Sequence, residues 1–73
     1  MSEERLNLNQ QRYQNYAAIR DAKGVKDFQV ATETGVSPST FTDWKTGRST
    51  PAFSNIVKIA EYLKVSPSEF EAR

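Results

Sequence analysis

The hydrophobic positions of this 73-residue chain recur at helical spacing and are interrupted by glycine and proline. The run 10–23 precedes Gly24, and glycine commonly stands just after a helix C-terminus, so this run predicts a first helix. Its apolar stripe contains Tyr13, Tyr16, Ala17 and Ile19. Asn7 or Asn9 is a candidate N-cap, and Gln10 has the spacing of a capping box with Asn7.

A second, short helix is predicted to begin near Lys26 or Asp27 and to end before Gly35. Its inward-facing residues are expected to be Phe28, Ala31 and Val30.

Pro38 predicts the first turn of a third helix, with Ser37 as its N-cap, because proline is favoured at the first helical position. Phe41 and Trp44 are three residues apart and are expected on its inner face, and Gly47 follows its end.

Two further helices complete the predicted fold. The fourth follows Pro51, and its expected stripe contains Phe53, Ile56, Val57, Ile59, Ala60 and Leu63. The fifth is brief, begins with the stretch SPSE at 66–69 and ends on Phe70. No alternating strand pattern competes with these helices, so the sequence predicts an all-α, compact five-helix bundle.

The connection between the second and third helices is only three residues long. Gly35 can adopt the left-handed conformation that a sharp reversal needs, and Val36 can pack between the helices. Ala31 is small enough to permit close approach, and Phe41 follows at the spacing of a helix-turn-helix. A generic αα corner is the alternative interpretation.

The outward face of the third helix is polar and has mainly short side chains. They are Ser39, Thr42, Asp43 and Thr46, with Lys45 as the one long exception. Such a slim helix fits a groove about 12 Å wide, where hydroxyl groups bond base edges or phosphates. The following loop TGRSTP carries Arg48 and three hydroxyls, which makes it either a phosphate clamp or an ordinary polar loop.

The amino-acid composition excludes several kinds of functional site. The chain has no Cys and no His, which excludes a disulfide framework, a thiolate zinc site and a histidine general base. We therefore expect no enzyme activity and no cofactor. No apolar run approaches the ~18 residues of a membrane span, so a cytoplasmic protein is expected. The net charge is only +1, but residues 12–58 hold seven basic and four acidic residues, a local charge of +3.

Residues 19–70 resemble the Cro/repressor-type helix-turn-helix family, which has a lambda-repressor-like fold and occurs in phage repressors, bacterial regulators and antitoxins. The resemblance rests on Ala31 and Gly35, on VSPSTFTDWKTG at 36–47 and on the proline followed by IVKIAEYLKVSP at 56–67. It implies that the third helix, 38–46, lies in the major groove of double-stranded DNA.

The resemblance also assigns site residues. The positions implied to face bases are Pro38, Ser39, Thr42 and Asp43. The positions implied to hold phosphates are Lys26, Ser37, Thr46, Arg48, Ser49 and Thr50. Asp43 can accept from cytosine or, alternatively, pair with Arg20 or Arg48.

Two positions depart from the family pattern. Pro38 stands where a long amide is frequent, and it offers only apolar contact, for instance to a thymine methyl. Asp27 also replaces a frequent glutamine; its charge suits a helix N-terminus but repels phosphate, so we interpret it as a cap.

The implied complex is a homodimer on a palindromic operator. Pro67 and Phe70 form the candidate dimer patch, although Phe70 could instead close the core. The resemblance implies a transcriptional regulator, specifically a repressor of phage or mobile-element type. The alternative is an antitoxin that also binds a toxin as protein partner, with 1–10 as the candidate arm. We expect 1–9 to be a flexible lead-in and 10–73 to be the domain.

Overall fold

The computed structural model describes residues 7–71, which form four α-helices and one 3-10 helix. The α-helices are α1 (Leu8–Lys23), α2 (Asp27–Thr34), α3 (Pro38–Lys45) and α4 (Phe53–Leu63), and the 3-10 helix is Pro67–Phe70. This range contains no strand, so the all-α class is confirmed. No helix within it is long and apolar enough to cross a membrane.

The predicted count of five α-helices is wrong, because the fifth segment is a four-residue 3-10 helix. Its backbone bonds run from Glu69 to Ser66 (2.9 Å) and from Glu71 to Ser68 (3.1 Å), which is the i to i+3 pattern. A segment this short closes too few i to i+4 bonds to form an α-helix.

The start of α1 is set by a capping box. The Asn7 side-chain oxygen accepts from the backbone of Gln10 (2.8 Å), and the Gln10 side chain accepts from the backbone of Asn7 (3.2 Å). This exchange starts the helix at Leu8, two residues before the predicted start. Residues 1–6, which form most of the predicted lead-in and of the candidate toxin-binding arm, lie outside the described residues. The flexible lead-in and the toxin-binding arm therefore stay predictions.

The core is built around aromatic rings from three elements. Trp44 of α3 stacks on Tyr16 of α1 with 5.0 Å between ring centroids, and Tyr13 meets it edge-on at 5.6 Å. Phe41 packs on Tyr16 from the same face of α3. The other buried apolar residues are Val30, Ala31, Val36, Ile56, Ile59, Ala60, Leu63 and Phe70. Phe41 and Trp44 therefore fix α3 through one face and leave its other face outward.

The reversal between α2 and α3 follows the predicted chemistry. Gly35 is left-handed (φ 79°), and its N–H donates to the carbonyl of Ala31 at 2.9 Å. Val36 is buried directly after it. Both α3 and α4 pack against α2, so the position of α3 is fixed by its neighbours.

Two aromatic residues expected to face inward are exposed. Phe28 is 74% exposed and Phe53 is 73% exposed. Phe28 and Val30 are two positions apart, which is a rotation of about 200° around the helix axis. Because Val30 is buried, Phe28 therefore faces outward. Phe53 stands in the first turn of α4, one turn before the first buried position, Ile56.

The assignment of Phe70 to a dimer patch is contradicted by its burial. The side chain is 1% exposed, and its ring contacts Trp44 edge-on at 6.1 Å. The Asn15 side chain also donates to the carbonyls of Phe70 (3.2 Å) and Glu71 (2.8 Å), which fastens this segment to α1. Phe70 therefore closes the core, as the alternative interpretation held. Pro67 remains partly exposed.

Candidate nucleic-acid interface

The outward face of α3 presents short side chains to solvent. Pro38, Ser39 and Thr42 are exposed, and Asp43 is partly exposed. They occupy the surface opposite the buried Phe41 and Trp44, so groups that could meet a duplex are carried by a helix whose inner face is fixed. The helix ends at Lys45, one residue before the predicted end.

The N-terminus of α3 is organised by a serine cap. The Ser37 hydroxyl oxygen accepts from the backbone N–H of Ser39 at 3.3 Å, and the two hydroxyls lie 2.9 Å apart. The same arrangement recurs at the 3-10 helix, where Ser66 and Ser68 have the same two distances. The tetrapeptide VSPS occurs at 36–39 and again at 65–68, and it is one local helix start used twice. Only the first copy leads into α3.

Asp43 organises the loop that follows α3. Its carbonyl accepts from the backbone N–H groups of Arg48 (2.8 Å) and Ser49 (3.3 Å), and the Thr46 hydroxyl donates to it at 3.2 Å. Its carboxylate lies 3.9 Å from the guanidinium of Arg48, in agreement with one of the two predicted salt bridges. Because the Arg48 and Ser49 amides are used internally, only the side chains of these two residues are left to face phosphates.

The start of α1 holds this loop from the other side. The side-chain amides of Asn7 and Asn9 both donate to the carbonyl of Gly47, at 3.1 and 3.2 Å. Gly47 is left-handed (φ 84°), and a Cβ there would lie 2.6 Å from the Asn7 side-chain nitrogen and 2.8 Å from Gln10. Only glycine fits this conformation and this close approach.

Thr50 also belongs to that attachment. Its hydroxyl donates to the side-chain oxygen of Asn9. The Thr50 hydroxyl is therefore bonded within the protein, as is the Thr46 hydroxyl that donates to the Asp43 carbonyl at 3.2 Å, and the assignment of both hydroxyls to phosphates stays a prediction. The sequence predicts only a possible capping role for Asn9, because no local pattern connects this residue to Gly47, 38 residues away.

Asp27 is the centre of a network between α1 and α2, and the interpretation that it caps α2 is wrong. The N-cap position is Lys26, whose backbone N–H donates to the Gln29 side chain at 3.1 Å. The Asp27 carboxylate instead accepts from Tyr13 (2.7 Å), Tyr16 (2.7 Å) and Arg20 (2.6 Å). These contacts come from residues 7 to 14 positions earlier in the chain, so capping rules do not predict them.

The network shifts the pKa values of its members. Burial alone would raise the pKa of Asp27, but the hydrogen bonds from Tyr13, Tyr16 and Arg20 outweigh it and hold that pKa below its ordinary value. Burial and then the bond to Asp27 raise the pKa of Tyr16 well above that of a free phenol. The charge of Asp27 is therefore matched within the protein, which reduces the expected repulsion of a phosphate.

A cleft of about 220 Å³ lies between the first turn of α2 and α3. Its lining residues are Asp27, Phe28, Pro38, Phe41, Thr42 and Lys45. Two of the residues predicted to face bases, Pro38 and Thr42, thus share one surface with Phe28, which sequence reasoning had assigned to the core.

The other predicted phosphate ligands lie on three separate segments. Lys26 is exposed at the start of α2, and Arg48 and Ser49 are exposed in the loop after α3. Ser37 and Thr46 are exposed at the two ends of α3.

Comparisons with known proteins agree with this geometry. Residues 17–70 match the helix-turn-helix family HTH_3. The structure is similar to the crystal structure of an HTH_3 family transcriptional regulator from Vibrio cholerae, with a TM-score of 0.74 and 28% sequence identity. The similarity covers 86% of this chain but only 35% of that protein's chain. No curated protein matches the sequence.

Proposed function

This chain belongs to the HTH_3 helix-turn-helix family, and on that premise we propose that it binds double-stranded DNA sequence-specifically and regulates transcription. In this proposal α3 lies in the major groove, and Ser39, Thr42 and Asp43 contact base edges. Pro38 contributes apolar contact at the start of the helix.

The observation that carries the proposal is the division of α3 into two faces. Phe41 and Trp44 are buried against α1. Pro38, Ser39 and Thr42 are exposed on the opposite face, where the first long side chain is that of Lys45, the last residue of the helix. A helix fixed through one face can present its other face to a groove as a rigid body. Hydroxyl groups on that face can both donate and accept, which suits contact with base edges.

Contacts to the DNA backbone are proposed for side chains on either side of α3. Lys26 and Arg48 supply the positive charges, and the hydroxyls of Ser37, Thr46 and Ser49 supply hydrogen bonds. With about two phosphates neutralised per copy, one for each of these cations, two copies would give a log–log salt slope on the order of −4.

We also propose that two copies bind a palindromic operator and that the outcome is repression, of the phage or mobile-element type that the family resemblance implies. One domain of this size offers few contacts, and a two-fold pair doubles them with half-sites about 34 Å apart. Because Phe70 is buried, the surface joining the two copies must involve other residues.

Selection from a randomised duplex library tests the proposal directly. The full chain should enrich a sequence with two inverted half-sites. An electrophoretic mobility-shift assay with that duplex should show a complex that contains two copies of the chain. An enriched but non-repeated site bound by one copy would contradict the palindrome and the dimer. Failure to enrich any sequence, with the protein shown to be folded, would contradict sequence-specific binding itself.

A further inference from the structure

Phe28 is a large aromatic residue that the fold leaves uncovered. It is 74% exposed in the first turn of α2, and it lines the cleft together with Pro38 and Phe41. An isolated exposed apolar residue needs no explanation, but three apolar side chains around one cleft form a continuous surface.

The cleft opens beside the face of α3 that is proposed to read bases. Pro38, Thr42 and Lys45 are spaced at i, i+4 and i+7, so they follow one edge of α3, and all three line the cleft. A duplex that contacts Pro38 and Thr42 therefore brings its base edges to the cleft and to Phe28. The cleft is continuous with the proposed interface.

The charges around the cleft are compatible with DNA. Among the described residues that line it, Asp27 alone is acidic, and its carboxylate is engaged by Arg20 at 2.6 Å and by the hydroxyls of Tyr13 and Tyr16. Lys45 adds a positive charge at the same cleft. An anionic duplex thus meets an apolar surface with a cation beside it.

From this arrangement we infer that Phe28, together with Pro38, reads the C5 methyl group of a thymine in the operator. Neither side chain can form a hydrogen bond, so neither can read the donors and acceptors of the major groove. The thymine methyl is the apolar group that the groove presents. Phe28 is then a specificity-determining residue contributed by α2, in addition to those on α3. This inference rests on the proposed function.

The experiment uses the duplex selected by the wild-type chain, with each thymine replaced in turn by deoxyuridine, which removes only the methyl. At one thymine in each half-site, wild-type affinity should fall about fourfold, the value expected for one buried methyl group. Phe28→Ala should bind the thymine duplex more weakly and should lose less affinity than wild type at that position, because only Pro38 would still contact the methyl. Phe28→Leu, which keeps an apolar side chain, should retain part of the preference.

Phe53→Ala is the matched control, because Phe53 is 73% exposed and lies outside the cleft. It should keep the full response to deoxyuridine. If every deoxyuridine substitution costs the same in wild type and in Phe28→Ala, the inference is overturned while the proposed function stands. If no duplex is enriched at all, both are overturned.

Discussion

The guanidinium of Arg20 lies 2.6 Å from the carboxylate of Asp27, which joins the last turn of α1 to the first residue of α2. The same carboxylate accepts from Tyr13 and Tyr16, so three donors from α1 converge on one residue of α2. Lys26 and Phe28 flank that residue. The network therefore sets the position of the first turn of α2 beside the cleft.

Replacement of Asp27 by Asn should lower the free energy of unfolding by about 1–3 kcal/mol, because it removes a partly buried charged acceptor from three donors. Asp21→Asn is the matched control, since Asp21 pairs with the same arginine at 2.8 Å but is 69% exposed against 31% for Asp27. Its loss should be below about 1 kcal/mol. Urea unfolding measures the free energy of unfolding of both variants. Equal losses would contradict a larger contribution to stability from Asp27 than from Asp21.

The same carboxylate predicts a dependence of stability on pH. Because the folded pKa of Asp27 is lower than the unfolded one, its stabilisation is present above the unfolded pKa, about 3.9, and is lost as pH falls through the folded pKa. The difference in unfolding free energy between wild type and Asp27→Asn should be constant above about pH 5 and shrink below about pH 4.

Ile59→Val is the control for this pH series, because it removes one methyl group from a fully buried apolar site. Its penalty, about 0.5–1.5 kcal/mol, should not change over the same pH range. A penalty for Asp27→Asn that also stays constant down to pH 2 would contradict the lowered pKa.

Removal of the Trp44 side chain should cost about 3–5 kcal/mol, because its ring contacts Tyr13, Tyr16, Phe41 and Phe70. Phe53→Ala removes an aromatic side chain that is 73% exposed, and it should change stability by no more than about 0.5 kcal/mol. Thermal unfolding of both variants distinguishes the cases. A comparable loss in the two would contradict the placement of Trp44 at the centre of the core.

Local rules predicted the parts of the fold that depend on neighbours in sequence. The Asn7 and Ser37 caps, the left-handed Gly35 and the inward pair Phe41 and Trp44 all follow from spacing and backbone preference. These features determine where α3 begins and which of its faces is outward. The sequence therefore predicted the orientation of the proposed reading helix.

The remaining features depend on pairs that are distant in sequence. Phe28 was expected inside because an eight-residue helix contains too few apolar positions to define its inner face, and packing on α3 and α4 selected Val30 and Ala31. The bonds of Asn9 to Gly47 and of Arg20 to Asp27 arise only after the helices are assembled. Capping and periodicity rules concern residues that are close in sequence, so they cannot predict these two contacts.

Replacement of Arg48 by Gln should weaken binding to all duplexes by a similar factor and should reduce the magnitude of the salt slope by about 1 for each copy bound. The reason is that Arg48 is exposed beside α3, and its 3.9 Å pair with Asp43 is too weak to prevent a phosphate contact. Lys64→Gln removes the same charge at the opposite end of α4 and should leave the slope unchanged. Equal slopes for wild type and Arg48→Gln would contradict the phosphate assignment.

The double variant Ser39→Ala and Thr42→Ala should lose affinity for the selected operator while its affinity for random duplex stays within about twofold of wild type. Each lost base contact is worth about 1–3 kcal/mol, whereas the charges that hold nonspecific DNA are untouched. Ser68→Ala is the matched control, because Ser68 has the same 2.9 Å hydroxyl contact to Ser66 that Ser39 has to Ser37. It removes the same group from the second VSPS copy, so its ratio of operator to random affinity should equal that of wild type. Equal losses of the double variant on both duplexes would show that the two hydroxyls support backbone binding or folding and do not read bases.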